Sequence, residues 1–279
     1  MGLFDWFKKK PKVNQFAKER EELAGLGLST MQDLEKLVKP LLREATKIIA
    51  KKTEAPIESS NLKSHFGGIP YFEKGEKWPQ TKDGIDLQFI FQIFDERNMV
   101  LPKNIKLIQL FYAIDGEHMA FETTDSGWYV KIYKELDKAK SIIIDKPSSE
   151  HFKEWDNVKY CEIGFEKIKS LPDWEGLENH SANAQKLSCV LNEDEPWDSY
   201  DQIRTKLIER SQDTDEEIYI SQIGGYPTWM QGDDKPESGD FLLQIYSEDN
   251  ANLMWGDAGL VYIFYDCETK KVEFILQCG

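Results

Sequence analysis

The sequence has few of the residues that most often bind metals or carry nucleophilic chemistry. It contains four cysteines and four histidines among 279 residues, and no two cysteines form a C-x-x-C pair. Zinc ribbons and thioredoxin-type motifs are therefore excluded, because both need closely spaced cysteines. The histidines form no H-E-x-x-H pattern, and the chain has no G-x-S-x-G elbow. We therefore expect no metal, no cofactor and no catalytic residue at a recognisable motif.

Long hydrophobic runs and an export signal are also missing. No stretch approaches the roughly 18 apolar residues of a transmembrane helix. The first residues lack the apolar core and the cleavage site of a signal peptide. Free thiols without an export signal indicate a reducing compartment, so we expect a cytoplasmic protein.

Positive charge is scarce and unevenly placed. Lysine and arginine number 35 against 50 aspartates and glutamates, a net charge of −15. Such a surface argues against nucleic-acid binding, which depends on cationic groups. Residues 1–52 nevertheless carry a net charge of +5, and residues 1–12 place four large apolar side chains before four lysines. A peripheral membrane contact through residues 1–12 and a frayed terminus are the two interpretations of that segment.

Helical patterns are confined to the start of the chain. Residues 15–24 suit a short helix that ends at Gly25. Thr30 is a candidate N-cap for an amphipathic helix that runs to Leu42, with a kink or restart at Pro40. Beyond about residue 52, most apolar runs are short, β-branched or aromatic, which is typical of strands. The sequence therefore predicts an α+β fold, with N-terminal helices followed by a large mixed, mainly antiparallel sheet system.

Sequence blocks recur in the two halves of the chain. Residues 64–72 and 221–229 share the pattern S-x-Φ-G-G-x-P-x-aromatic, where Φ is apolar, and Phe89–Ile93 matches Phe241–Ile245 around a central glutamine. We interpret this as a tandem duplication, with two similar halves sharing one core. The predicted divisions are a basic segment at 1–29, a first half at 30–150 and a second half at 151–279, packed as one globular unit.

The glycine pairs in these blocks have two interpretations. Glycine adopts positive φ at low cost, and a following proline stops a strand, so a structural turn is expected. An anion cradle of backbone N–H groups is the alternative. No lysine follows either pair as in phosphate loops, which favours the turn. The predicted turn residues are Gly67, Gly68, Pro70, Gly224, Gly225 and Pro227.

Six side chains in or beside the blocks are candidates for binding. Gln92 and Gln244 lie within apolar strands, where a buried amide must bond a neighbouring loop or read a ligand. His65 precedes the first glycine pair and suits a hydrogen bond to the turn more than a catalytic base. Loop tryptophans near acidic residues suit recognition of a basic protein, with core filling as the alternative. These are Trp78, Trp229 and Trp255.

Three features carry a family resemblance: the repeated blocks, the pair Trp78-Pro79 and the ending Glu273–Cys278. They resemble the YwqG-like family of bacterial cytoplasmic proteins, a domain of unknown function. The resemblance covers about residues 30–279. The resemblance implies an α+β fold with a large sheet, and no reaction. The second half also resembles, more distantly, the C-terminal region of the programmed-cell-death-2 type of eukaryotic proteins, which are associated with chaperoning a ribosomal protein. Their cysteine pairs are missing here, so the resemblance does not extend to zinc.

Two functions remain open at this stage. One is a non-catalytic module that binds a basic protein or peptide, supported by the acidic C-terminal third and the loop aromatics. The other is a small-ligand-binding protein or enzyme with a cleft between the two halves. That alternative predicts that His65, Gln92 and Gln244 converge in one concave site. The sequence does not determine the oligomeric state.

Overall fold

The structure is a computed structural model that describes residues 13–54, 62–95, 100–102, 104–113, 117–147, 158–209 and 219–279. It has an α+β fold, with helices at its start and a large mainly antiparallel sheet, which confirms the predicted class. The chain divides into a helical unit, at residues 13–44 and 169–209, and a sheet unit, formed by the described residues of 45–168 and 219–279. The predicted divisions at 29 and 150 follow the sequence blocks instead and stay a prediction. The membrane-contact hypothesis for residues 1–12 lies outside the described residues.

Four helices form the first unit: α1 (Val13–Gly25), α2 (Met31–Val38), α3 (Trp174–Leu191) and α4 (Asp198–Ile208). Thr30 and Asp33 form a reciprocal capping box at the start of α2, because each side chain accepts the other's backbone N–H at 3.2 Å. The helices bury apolar side chains against one another, among them Leu23, Leu34, Val38, Leu177, Leu187 and Tyr200. This unit therefore has its own hydrophobic core.

Helix α2 is shorter than its apolar pattern predicts. It ends at Val38, and Lys39–Leu41 form a 3-10 turn with Pro40 near its start. Proline has no N–H to continue the helical ladder, so the chain leaves the helix there. Helices α3 and α4 lie beyond residue 52, where the short apolar runs predict mostly strands. Within α3, Ser181 has non-helical angles (φ −159°, ψ 84°), which marks a kink between two helical segments.

The second unit contains a ten-stranded sheet in the order β12-β11-β10-β9-β1-β8-β2-β4-β5-β6, and a separate pair, β3-β7. The strands are β1 (Arg43–Lys52), β2 (His65–Phe66), β3 (Phe72–Glu73), β4 (Gln88–Phe94), β5 (Leu107–Tyr112), β6 (Trp128–Tyr133), β7 (Ser141–Ile142), β8 (Cys161–Ser170), β9 (Gln222–Gly224), β10 (Asp240–Tyr246), β11 (Leu260–Tyr265) and β12 (Val272–Gln277).

The sheet has two arms of similar construction on either side of β1 and β8. The first arm is β2-β4-β5-β6 and the second arm is β9-β10-β11-β12. In each arm the second strand carries an irregularity at an equivalent place, between Phe89 and Phe91 or between Phe241 and Leu243. The third strand, β5 or β11, is buried along its whole length. Side chains from both arms pack into one hydrophobic core.

Candidate functional site

The two predicted strand glutamines bind the backbone of their own arm in the same way. Gln92 Oε1 accepts the Tyr71 N–H at 2.9 Å, and its amide nitrogen donates to the Lys63 carbonyl at 2.8 Å. Gln244 Oε1 accepts the Thr228 N–H at 2.9 Å, and its nitrogen donates to the Ile220 carbonyl at 2.8 Å. Both side chains are fully buried. Their hydrogen bonds therefore hold the loop that follows each glycine pair.

His65 and Gln222 occupy equivalent positions opposite these glutamines. His65 pairs with Gln92, and its Nδ1 lies 2.7 Å from the Gly67 carbonyl, which requires the proton on Nδ1. Gln222 pairs with Gln244 and donates to the Gly224 carbonyl at 3.1 Å. Burial lowers the pKa of His65 to about 4, so its ring is neutral at physiological pH. The structure thus places His65 beside Gln92, and Gln244 in the other arm.

The glycine pairs form left-handed turns in both arms, with φ between 55° and 75° at all four residues. At Gly67, a Cβ atom would lie 2.5 Å from the Val158 carbonyl oxygen, closer than any real contact. At Gly224, no atom lies within 4 Å of that position. The first turn is therefore closed by neighbouring backbone, whereas the second needs glycine only for its φ. The prolines of the two turns are Pro70 and Pro227.

The three predicted tryptophans belong to three separate clusters. Trp78 is half-buried between Phe72 and Phe111, and its indole N–H donates to the Leu87 carbonyl at 2.7 Å. Trp229 is buried against aromatic side chains of β11. Trp255 is buried in the large core. Trp229 and Trp255 are buried and Trp78 is half-buried, so the three do not form one exposed aromatic surface.

Trp255 lines a cavity of about 300 Å³ in the sheet unit, which we call the Trp255 cavity. Its ring stands perpendicular to that of Tyr112, at 89° with centroids 5.1 Å apart. Further apolar side chains complete the wall: Ile90, Met119, Val158, Leu253 and Met254. Asp249 and Asn252 add polar groups. An apolar and aromatic wall with few polar groups is typical of small-molecule sites.

The indole nitrogen of Trp255 is buried and has no hydrogen-bond partner among the described residues. The side chain is 2% exposed, so bulk water does not compensate for the missing bond. A buried donor without a partner costs about 1–3 kcal/mol, and most native structures avoid it. Because the nitrogen atom itself is fully buried, an acceptor in the adjacent cavity would remove this cost only if the indole or its neighbours shift to expose it.

The loop that carries Trp255, residues 247–259, is held in a strained conformation. Asn252 and Ala258 both have φ of 52°, a left-handed conformation that costs a non-glycine residue about 1–2 kcal/mol. Ser247 Oγ accepts the Trp255 N–H at 3.0 Å, and the Trp255 carbonyl accepts the Gly259 N–H at 2.6 Å. Strain of this kind concentrates at functional sites. The loop therefore fixes the indole in the cavity wall.

A second, more polar cavity of about 520 Å³ adjoins the first, and we call it the Asp249 groove. Asp249 and Met254 line both spaces. The groove also contains Lys47, Ser221 and Glu248, and the Ser221 hydroxyl donates to the Glu248 carboxylate. The apolar Trp255 cavity and the polar Asp249 groove therefore meet at Asp249.

Sequence analysis identified only one residue of this site, Trp255. Tyr112 belongs to the aromatic stretch Leu110–Tyr112, which matches Ile263–Tyr265 in the second half, but that pattern indicates a strand and no cavity. Met119 and Val158 carry no sequence signal, because their role depends on segments distant in the chain. Among the described residues, no three histidine, cysteine, aspartate or glutamate side chains are placed to hold a metal ion. No described helix is long and apolar enough to cross a membrane.

Comparison with curated proteins finds no match for the chain. Residues 64–272 match the family described as a domain of unknown function, DUF1963. The matched range includes both glycine pairs and the cavity residues from Ile90 to Gly256. Because this range covers well over half of the sequence, the chain belongs to the DUF1963 family.

Proposed function

We propose that the protein binds a small, largely apolar molecule in the Trp255 cavity and that the ligand accepts a hydrogen bond from the Trp255 indole. The unpartnered, buried N–H in the cavity wall carries this proposal. The volume of about 300 Å³ lies at the lower end of the range for ligand pockets, roughly 300–1,000 Å³, so the ligand is small. This is the small-ligand alternative from the sequence, at a site other than the predicted His65–Gln92–Gln244 cluster.

A matched pair of probes tests the proposal. Acetophenone and ethylbenzene have the same ring and a similar shape, but only acetophenone carries a carbonyl acceptor. We expect acetophenone to bind more tightly and to shift the Trp255 indole N–H resonance in a ¹⁵N–¹H spectrum. Trp255→Phe should weaken acetophenone binding about fivefold and leave ethylbenzene binding nearly unchanged, because one hydrogen bond is worth about 1 kcal/mol.

Trp229→Phe is the control, because it makes the same change at a buried tryptophan that does not line the cavity. It should leave both affinities unchanged. The proposal is contradicted if neither probe binds, if acetophenone leaves the Trp255 resonance in place, or if both tryptophan variants weaken binding equally.

A basic protein partner stays a prediction, supported by the net charge of −15, although two of the three tryptophans on which it depended, Trp229 and Trp255, are buried. We further propose the tandem duplication, which is supported by the matching glutamine hydrogen bonds of the two arms. The YwqG-like resemblance, the more distant programmed-cell-death-2 resemblance, bacterial origin and cytoplasmic location also remain proposals, which the sequence patterns support.

A further inference from the structure

The charge at the mouth of the Trp255 cavity bears on which ligand it selects. Asp249 lines both the cavity and the groove, and its side chain is exposed. It forms no ion pair with any residue that the structure describes. The groove contains one other carboxylate, Glu248, and one cation, Lys47, so its lining side chains carry a net charge of −1.

The cavity wall suits the apolar part of such a ligand. Tyr112 and Trp255 stand perpendicular to each other and are both buried, so the charged group of a ligand lies at Asp249 and not among the rings. A divalent metal would need several oxygen ligands, and the described residues hold no group of three suitable side chains. An organic cation needs only one carboxylate and an apolar wall.

Resting on the proposed function, we infer that the ligand is an amphiphilic amine. Its body occupies the Trp255 cavity and is apolar apart from the acceptor for the Trp255 indole, and its protonated nitrogen lies at Asp249, where the cavity meets the groove. Met254, 57% exposed and shared by both spaces, covers the junction between the two parts of the ligand.

Three probes of similar shape and different charge, each with the carbonyl acceptor of acetophenone, test this inference on the intact chain: 4-(2-aminoethyl)acetophenone, 4-(2-hydroxyethyl)acetophenone and 3-(4-acetylphenyl)propanoate. We expect the amine to bind about fivefold more tightly than the alcohol in calorimetry at low salt, and the carboxylate to bind most weakly. Asp249→Asn should bring the amine to the affinity of the alcohol and leave the alcohol unchanged. Raising the salt concentration should weaken only the amine.

Asp257→Asn is the matched control, because it removes the same charge from the same loop but lines neither space. It should preserve the preference for the amine. If the alcohol binds as tightly as the amine, or if Asp249→Asn keeps the preference, the inference fails while the proposed function stands. Tightest binding of the carboxylate would indicate selection by Lys47 and also overturn it. If none of the three probes binds while acetophenone does, the inference fails and the proposed function stands; if acetophenone also fails to bind, both fall.

Discussion

The two arms of the sheet share a backbone design but hold their loops with different chemistry. In the first arm, Glu76 accepts hydrogen bonds from the Tyr133 hydroxyl and from Lys131, each at 2.7 Å. In the second arm, the neutral Gln277 accepts the N–H groups of Met230 and Gln231. Both devices secure the segment that follows the glycine pair. Because only the first is ionised, the arms should respond differently to pH and to loss of a charge.

The Lys131 ammonium strengthens this contrast. It lies 4.6 Å from the centre of the Phe72 ring and 4.8 Å from that of Tyr133. Burial alone would raise the pKa of Glu76, but hydrogen bonds from the Glu73 N–H, Lys131 and Tyr133 outweigh it and lower the pKa. The first arm therefore relies on a half-buried ion pair, whereas the second arm relies on amides.

The largest difference between the arms is expected at their first glycines. Gly67→Ala should destabilise the protein by about 4 kcal/mol, because the new methyl group meets the Val158 carbonyl at a left-handed position. Gly224→Ala should cost only about 1 kcal/mol, since it meets no neighbour and adds only backbone strain. Urea unfolding of both variants measures the difference. Equal losses would show that neighbouring backbone does not close the first turn.

The histidine of the first arm should make stability depend on pH. With a folded pKa of about 4 and an ordinary value of 6.5, His65 binds its proton more readily in the unfolded chain. Its contribution is therefore fully present above pH 6.5 and is lost as pH falls toward 4, which amounts to about 2 kcal/mol between pH 7.5 and 5.

His65→Gln provides the matched comparison, because the second arm already has Gln222 at the equivalent place. We expect this variant to lose about 2 kcal/mol less stability than the native chain between pH 7.5 and pH 5, measured by urea unfolding at both values. The carboxylates titrate alike in the two proteins, so their contribution to the pH dependence of stability cancels when the two are compared. The same pH dependence in both would mean that His65 is not held neutral.

The smallest expected contrast concerns ion pairs. Lys131→Met should cost about 2 kcal/mol, because it leaves the half-buried Glu76 without its cation. Lys271→Met breaks the pair with Glu273 on the edge strand of the second arm. Glu273 is buried, but Lys271 is largely exposed and the carboxylate keeps hydrogen bonds from Ser238 and Thr123, so the loss should be smaller, about 1 kcal/mol. Thermal unfolding at pH 7 compares the two variants. A larger loss for Lys271→Met would contradict the conclusion that the ion pair stabilises the first arm more than the second.

The stabilisation from Glu76 has a defined pH window. Its pKa lies below the ordinary value of 4.5, so the ion pair contributes fully above that value and is lost as pH falls through the lowered pKa. The cost of Lys131→Met should therefore shrink as the pH is lowered below 4.5, and the smaller cost of Lys271→Met should shrink in the same direction, because the pKa of Glu273 is also lowered.

Local patterns predicted much of the fold because they report on local physics. The block around Gln92 and its counterpart around Gln244 predicted two strands. They also predicted that each glutamine side chain hydrogen-bonds a neighbouring loop, since a buried amide must find backbone partners. The capping pair Thr30 and Asp33 located the start of α2. The prediction carried the helix to Leu42 with a kink or restart at Pro40, whereas α2 ends at Val38 and a 3-10 turn with Pro40 near its start follows.

The sequence by itself determined the class of fold, the positions of the glycine turns and the absence of motif chemistry, because these depend on neighbouring residues. Only the tertiary structure decided what Trp255 does. Strand pairing places Trp255 against Tyr112 and near the carboxylate of Asp249, in a loop whose backbone is left-handed at Ala258. A cavity is a property of segments far apart in the chain, and no local pattern of one sequence records which segments meet.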